Sequence, residues 1–438
     1  MNPTEASASP IPADRDDELR VALANRFRQV RDRTEALVEP LTAEDQNLQS
    51  MPEASPVKWH RAHTSWFFET FLLKPHLPDY REFDPRFEYL FNSYYNAVGE
   101  QFPRPKRALI SRPDAAGVGA YRKHVDQAMQ RLLAEARPEK LTEVSPMVEL
   151  GLNHEQQHQE LILTDLKHAL SFNPCAPVLG GDPDPAGPAP HPLKFFEYEG
   201  GKITIGHRGA GFSFDNETPA HEVLLRPFAL ASRPATWREW LAFISDGGYR
   251  NPLLWLSDGW AWVQKENIEA PLYLRCDEHD GWQHYTLAGW KALEPTAPAC
   301  HIGFYEAHAF AEWAGERLPT EAEWETAAGT LDARFADQGH FADSGRYQPE
   351  PVAPRPGSPT AMFGTVWEWT SSSYAPYPGF RAAPGAVGEY NGKFMANQMV
   401  LRGGSCATPA GHVRPTYRNF FYPPDRWQFS GVRLAHDL

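Results

Sequence analysis

Residues 171–192 read SFNPCAPVLGGDPDPAGPAPHP, and ten of these 22 positions are proline or glycine. Proline fixes φ and lacks a donor N–H, and glycine offers no side chain to pack, so no helix or strand of useful length can cross such a stretch. The segment predicts a linker, and the chain on either side of it should follow different rules.

Before it the rule is helical. Leu19, Leu23, Phe27, Val30 and Leu37 recur at helical spacing and predict an amphipathic helix that ends before Pro40. A second helix is predicted from SPVKWHRAHTSWFFETFLL, with Ser55 as N-cap and Pro56 at its first position. A third, GAYRKHVDQAMQRLLAEA, sets Tyr121, Val125, Met129 and Leu132 on one face, and a fourth contains NHEQQHQE. Together they predict a four-helix bundle over residues 17–170, preceded by a disordered tail over 1–16. Beyond the linker, residues 193–438 carry short β-like pieces (KITIGH, HEVLLRPFAL, VLRGGS, GVRLA), a few short helices and long Gly/Pro-rich loops such as 344–359. That texture predicts an α+β domain, so the expected fold class is multi-domain, α and α+β.

With 438 residues and 42% apolar content the chain can build more than one core. A formal charge of −14 argues against nucleic acid or an anionic membrane as partner, since either would be repelled. No apolar run approaches a membrane span, and Cys175, Cys276, Cys300 and Cys406 are scattered without metal-ribbon or disulfide-scaffold spacing. A cytoplasmic location is expected.

The sharpest motif is the His-Glu-x-x-His in NHEQQHQE. Met147, Leu150, His154, His158, Leu161 and Leu166 are predicted to share one stripe of the fourth helix, which points both histidines into the bundle. Burying two imidazoles costs free energy unless each is hydrogen-bonded or ligates an ion. A third ligand is sought on the second helix, where His63 shares a stripe with Trp59, Phe67 and Thr70, while His60 is read as rotated by most of a turn. A zinc protease would need more: the extended protease motif places glycine where Leu161 stands, and only the linker follows before Glu197. A site of neutral nitrogen ligands with open positions suits Fe(II), with room for a substrate and O2; three-histidine zinc is chemically admissible too.

In the second half, RLPTEAEWETAAG (317–329), FGTVWEWTSSSY (363–374), VLRGGSCATP (400–409) and RPTYRNFFYPPDRWQFSGVRLA (414–435) resemble the formylglycine-generating-enzyme, or sulfatase-modifying-factor, domain, a variant of the C-type-lectin fold. Within these segments Trp324, Trp367 and Trp369 read as core, and Gly403 and Gly404 as turn formers. A formylglycine-generating oxidase would need a cysteine pair after RGGS, and here Cys406 stands without a second. Joined to a bundle bearing AHTSWFFE and NHEQQHQE, the whole resembles the iron-dependent sulfoxide synthases of ergothioneine biosynthesis, called EgtB, whose first domain is DinB-like.

That resemblance implies an Fe(II) site made by His63, His154 and His158, with Glu155 not acting as a protease base. It implies O2-dependent coupling of the sulfur of cysteine, or of γ-glutamylcysteine, to imidazole C2 of hercynine. A proton donor is then needed, and Tyr94 and Tyr95 in LFNSYYNAVGEQFPRPKR resemble the tyrosines of one family branch; Tyr390 is a spare candidate. Gln157 and Asn419 match family positions that contact hercynine. Phe420 and Phe421 would line the pocket, where an aromatic wall suits a quaternary ammonium. Arg104 and Arg107 would clamp the carboxylate of the thiol substrate. The SYYN match leans toward free cysteine as donor, and the sequence leaves open whether the second domain holds a structural calcium. The absence of a trailing methyltransferase-like domain leads away from the ovothiol-pathway relative. The rival readings are a selenoneine synthase using a selenium donor, a zinc-dependent hydrolase, and a non-enzymatic binding module.

Overall fold

The computed structural model describes residues 13–181, 191–279, 281–331, 336 and 338–438. Most of the expected tail and the middle of the expected linker (182–190) therefore lie outside the described residues. By contacts the chain forms two units, one of residues 13–47, 56–93 and 99–158, the other of 48–55, 94–98 and 159–438.

The first unit is helical. α1 (Ala13–Val38) starts inside the expected tail, six residues ahead of the first apolar position that marks it in the sequence. α2 (Val57–Phe68) has Pro56 itself at the cap, one residue after the expected Ser55, whose N–H goes to Asp165. One residue of displacement at a helix end is normal, because Pro56 has no N–H to satisfy wherever it stands in the first turn. A π turn (Glu69–Leu73) carries α2 into α3 (Lys74–His76), and α4 (Phe87–Phe91) follows. α5 (Ala115–Glu135) is capped by Asp114, whose carboxylate accepts the Gly117 N–H at 2.7 Å, and it buries Val118, Tyr121, Val125, Met129 and Leu132 as its periodicity requires. α6 (Pro138–Ser171) is the longest helix, and the division between the units falls within it, after His158.

Two details of α6 set up the site. Its deepest line runs through Leu141, Val144, Val148, Leu152 and Glu155, while Met147, Leu150 and Leu161 are only half-buried. The expected apolar stripe is thus rotated, because a charged residue that pattern reading puts outside is the most buried member of the motif. The second detail is Gly151, where a Cβ would stand 2.6 Å from the Phe68 ring. Its missing side chain lets α2 and α6 approach closely one turn before His154.

The second unit is α+β, of C-type-lectin-like type. β1 (Phe195–Tyr198), β2 (Gly201–Ile205), β3 (His221–Leu225) and β4 (Phe228–Ala231) lead to α7 (Trp237–Ser245) and α8 (Ser257–Glu266). β5 (Leu274–Asp277), β6 (Gly281–Thr286) and β7 (Gly289–Ala292) make an antiparallel meander, and α9 (Phe304–Trp313) and α10 (Glu321–Gly329) follow. β8 (Trp367–Ser373), β9 (Met399–Arg402), β10 (Asn419–Phe421) and β11 (Ser430–Gly431) form the sheet β10-β9-β8-β11, and β12 (Ala435–Asp437) closes β1-β4-β12. Trp324, Trp367 and Trp369 are core, each with its indole N–H bonded: to Glu368, Glu160 and the Ile302 carbonyl respectively. Gly403 and Gly404 turn the chain after β9 with φ of +99° and +84°, a region that costs a residue with a Cβ about 1 kcal/mol or more.

Candidate metal centre

His63 projects from α2 between two indoles, stacked on Trp59 (4.7 Å between centroids, 11° between planes) and on Trp66 (5.4 Å, 16°). Its Nδ1 lies 2.6 Å from the Phe91 carbonyl oxygen, which can only accept, so Nδ1 carries the proton and Nε2 the lone pair. That Nε2 is buried and has no hydrogen-bond partner among the described residues. On α6, His154 and His158 stand one turn apart with their Nε2 atoms 3.0 Å from each other. The ligand atoms of all three residues lie within 4.8 Å of one another, and no other group of three His, Cys, Asp or Glu side chains gathers in this way among the described residues.

The geometry fits an ion. With metal–nitrogen bonds of about 2.1 Å, two ligands at a right angle stand about 3.0 Å apart, the spacing of His154 and His158. The state of the rings fits as well. Burial pushes all three imidazoles below their ordinary value, with neighbouring histidines adding to the effect at His63 and His158, and His154 falls to about 3. Neutral imidazoles are the ligating form. The Nδ1–H of His63 on a backbone carbonyl is the usual outer contact that orients a ligating histidine. For the structural calcium that the sequence leaves open, no comparable cluster of such side chains gathers among the described residues.

Two neighbours escaped sequence reasoning. His60, which the sequence places most of a turn round the helix from His63, has its Nδ1 2.8 Å from His158 Nδ1. Three residues along a helix turn about 300°, which leaves His60 only about 60° from His63; the i, i+3 spacing in WHRAH was the signal. The second is Glu155, wholly buried, whose carboxylate accepts from Arg31 Nη1 (2.9 Å), Arg122 Nη2 (2.9 Å) and Thr34 Oγ1 (2.6 Å). Burial alone would raise its pKa, but the two guanidiniums outweigh burial and hold it at about 2. A carboxylate engaged in this way is a structural anion and a poor general base, which removes the residue that a zinc hydrolase would need.

The expected substrate residues are divided between the two units. Gln157 is half-buried on α6. Arg104 is exposed, whereas Arg107 is buried with its guanidinium 3.3 Å above the centre of the Trp59 ring, so the two do not present one surface. In the second unit, Asn419 opens β10 and its Oδ1 accepts the Phe420 N–H at 2.9 Å. Phe420 stacks on Tyr374 at 4.0 Å, and Phe421 meets Trp427 edge-on at 5.6 Å.

Tyr94 and Tyr95 also belong to the second unit, with their rings stacked at 4.7 Å. Tyr95 is fully buried, and burial, with Tyr94 and Tyr390 beside it, pushes its hydroxyl well above the ordinary phenol value. Tyr390 is shifted the same way by burial and Tyr94, so the spare candidate joins the pair as a cluster of three. The short loop holding the pair is tied down by Glu389, which accepts the N–H groups of Asn96 (3.1 Å) and Ala97 (2.8 Å), and by the Lys393 ammonium on the Tyr94 carbonyl.

Comparison with known proteins bears on both units. Residues 26–162 match the DinB superfamily, and residues 194–438 match the sulfatase-modifying factor enzyme 1-like domain. A hercynine oxygenase of Mycolicibacterium smegmatis is 34% identical over 449 aligned residues, covering 96% of this chain and 99% of the relative. This chain belongs to the hercynine oxygenase family. The hercynine oxygenase of Mycobacterium tuberculosis is 32% identical, over 88% of this chain and 92% of the relative. The formylglycine-generating enzyme of Streptomyces coelicolor is 28% identical but covers only 52% of this chain and 84% of the relative. In this member of the hercynine oxygenase family all four cysteines are free, and Cys406 is buried, with burial raising its thiol well above the ordinary value. Among the described residues no helix is long and apolar enough to cross a membrane.

Proposed function

We propose that this chain is a non-haem Fe(II), O2-dependent sulfoxide synthase that joins the sulfur of cysteine to imidazole C2 of hercynine. One observation supports this above the rest: three neutral imidazoles converge, with no carboxylate among the ligands, in a chain that aligns end to end with hercynine oxygenases. The overall change is thiol plus imidazole C–H plus O2 giving sulfoxide plus water, so one oxygen atom ends on sulfur and the other leaves as water. Fe(II) on His63, His154 and His158 would supply O2 activation and a place for the thiolate.

The remaining duties fall to the chain. Tyr95, kept protonated by its burial, is the proton donor to the oxygen that leaves as water, and Tyr94 holds its ring in place. Gln157 and Asn419 orient hercynine, and Phe420 and Phe421 give its trimethylammonium an aromatic wall. Of the two arginines, Arg107 receives the carboxylate of the thiol, which it would meet edge-on with its face on Trp59, whereas the exposed Arg104 takes no part in that clamp. The cytoplasm, which keeps thiols reduced, is the proposed location.

The test is anaerobic reconstitution with Fe(II), then O2 with hercynine and cysteine, γ-glutamylcysteine or a selenium donor, with products read by mass. Hercynylcysteine sulfoxide is expected from free cysteine. Oxidised thiol alone, with hercynine unchanged, overturns the reading.

A further inference from the structure

His60 makes a contact that none of the assigned roles uses. It is buried on α2, three residues before His63, with its ring 5.1 Å from that of His158 and the two Nδ1 atoms 2.8 Å apart. A neutral imidazole has one N–H and one lone pair, so at that distance one of the two Nδ1 atoms carries the proton and the other does not. His158 Nε2 faces His154 Nε2 at 3.0 Å and so points into the triad. To offer a lone pair there, His158 must keep its proton on Nδ1, and the Nδ1 of His60 must then be the acceptor.

We propose that His60 is a positioning residue for the metal, fixing His158 in the tautomer and ring orientation that turn Nε2 toward the ion. The inference rests on the reading of the triad as a metal site. His60 does for His158 what the Phe91 carbonyl does for His63, with one difference. A carbonyl can only accept, which locks His63 permanently. An imidazole can accept or donate, so the pair His60–His158 has two proton arrangements, one offering a lone pair to the triad and one offering an N–H. Ion binding selects the first. The same bond excludes His60 as a fourth ligand through Nδ1, since that lone pair is already engaged.

The experiment uses the full chain, stripped of metal and kept anaerobic, and measures Fe(II) affinity by competition with a chromophoric chelator. Removing an outer-shell partner costs roughly 10–100-fold in affinity, so His60→Leu should weaken Fe(II) binding by that factor, whereas His60→Asn, whose amide oxygen can accept from Nδ1–H, should stay within about threefold of wild type. The metal-free thermal midpoints should not follow that order. Nitrogen NMR of the diamagnetic Zn(II)-loaded wild-type protein provides a second readout, with the proton expected on His158 Nδ1 and on His60 Nε2, and it needs no variant to fold. Wild-type affinity in His60→Leu, equal losses in both variants, or a proton on His60 Nδ1 in the Zn(II) form would each overturn the inference while leaving the triad intact. Failure of the wild-type chain to bind Fe(II) at all would instead remove the metal reading and the proposed function together.

Discussion

The histidine triad stands on α2 and α6, inside regular helices, whereas Tyr94, Tyr95 and Tyr390 stand on short irregular segments. In the first case the backbone repeat decides which side chains meet: His154 and His158 are one turn apart, and Gly151 lets the Phe67–Phe68 turn of α2 press close. In the second case nothing repeats, and the tyrosine loop takes its shape from side chains that bond its peptide groups, supplied by Glu389 and Lys393 almost 300 residues later. A site on helices is specified locally. A site on loops is specified by whichever distant residue holds the loop.

The contrast can be broken by experiment. The largest effect is expected from His154→Ala. Metal affinities worth about 10–16 kcal/mol over four ligands amount to roughly 3 kcal/mol per ligand, so Fe(II) binding should weaken about a hundredfold or more, with sulfoxide formation lost. Metal analysis after gel filtration checks this, and a fully loaded variant would disqualify the triad. Next comes Glu155→Gln, which takes away the carboxylate that the buried Arg31 and Arg122 share, leaving each its other carboxylate partner, Asp126 and Glu35 respectively, and should cost about 3 kcal/mol in urea unfolding. The pH dependence follows from its depressed pKa. The stabilisation from Glu155 is complete above the ordinary carboxylate value and is lost as pH falls toward about 2. Wild type should therefore lose more stability than the variant between pH 6 and pH 3, and parallel curves would contradict the assignment.

Tyr95→Phe sharpens the comparison from the other side. Metal affinity should not change, while loss of a general acid worth about a hundredfold should divert product from sulfoxide to cysteine sulfinate. Unchanged partitioning here and in Tyr94→Phe would take both tyrosines out of the chemistry. The smallest effect is expected from Lys393→Met, which removes the Glu389 ion pair and the bond to the Tyr94 carbonyl. Stability should fall by less than about 1 kcal/mol, with product partitioning moving in the same direction as for Tyr95→Phe but less far. A shift as large as that of Tyr95→Phe would mean that loop placement, rather than the hydroxyl, controls the outcome.

This contrast also explains what could be read in advance. The helices, the β-like pieces around β2, β3, β4 and β9, and the three histidines carry periodicity or motif, and the structure has them. Glu155 was opaque because its burial depends on Arg31 and Arg122, from two other helices, and no local pattern announces a neutralised carboxylate. His60 was misjudged on angle alone. The meander β5-β6-β7 was missed because its hairpins lack a strong apolar alternation, with His284 and Thr286 buried among them. That Arg107 would lie on Trp59 while Arg104 faces solvent depends on a short 3-10 helix, Arg104–Leu109, that the proline-rich segment does not advertise.

The way the chain divides has a consequence for anyone who would splice it. Trp367, Ser405 and Thr408 all donate to Glu160, a residue of α6 that precedes the Pro/Gly stretch, just as Glu389 and Lys393 reach back to residues 94–97. A gene cut at that stretch would strand a desolvated carboxylate on one fragment and its three donors on the other. Grafting either half onto a foreign partner would require the recipient to replace those bonds, so the halves should be inherited, and engineered, as a single unit.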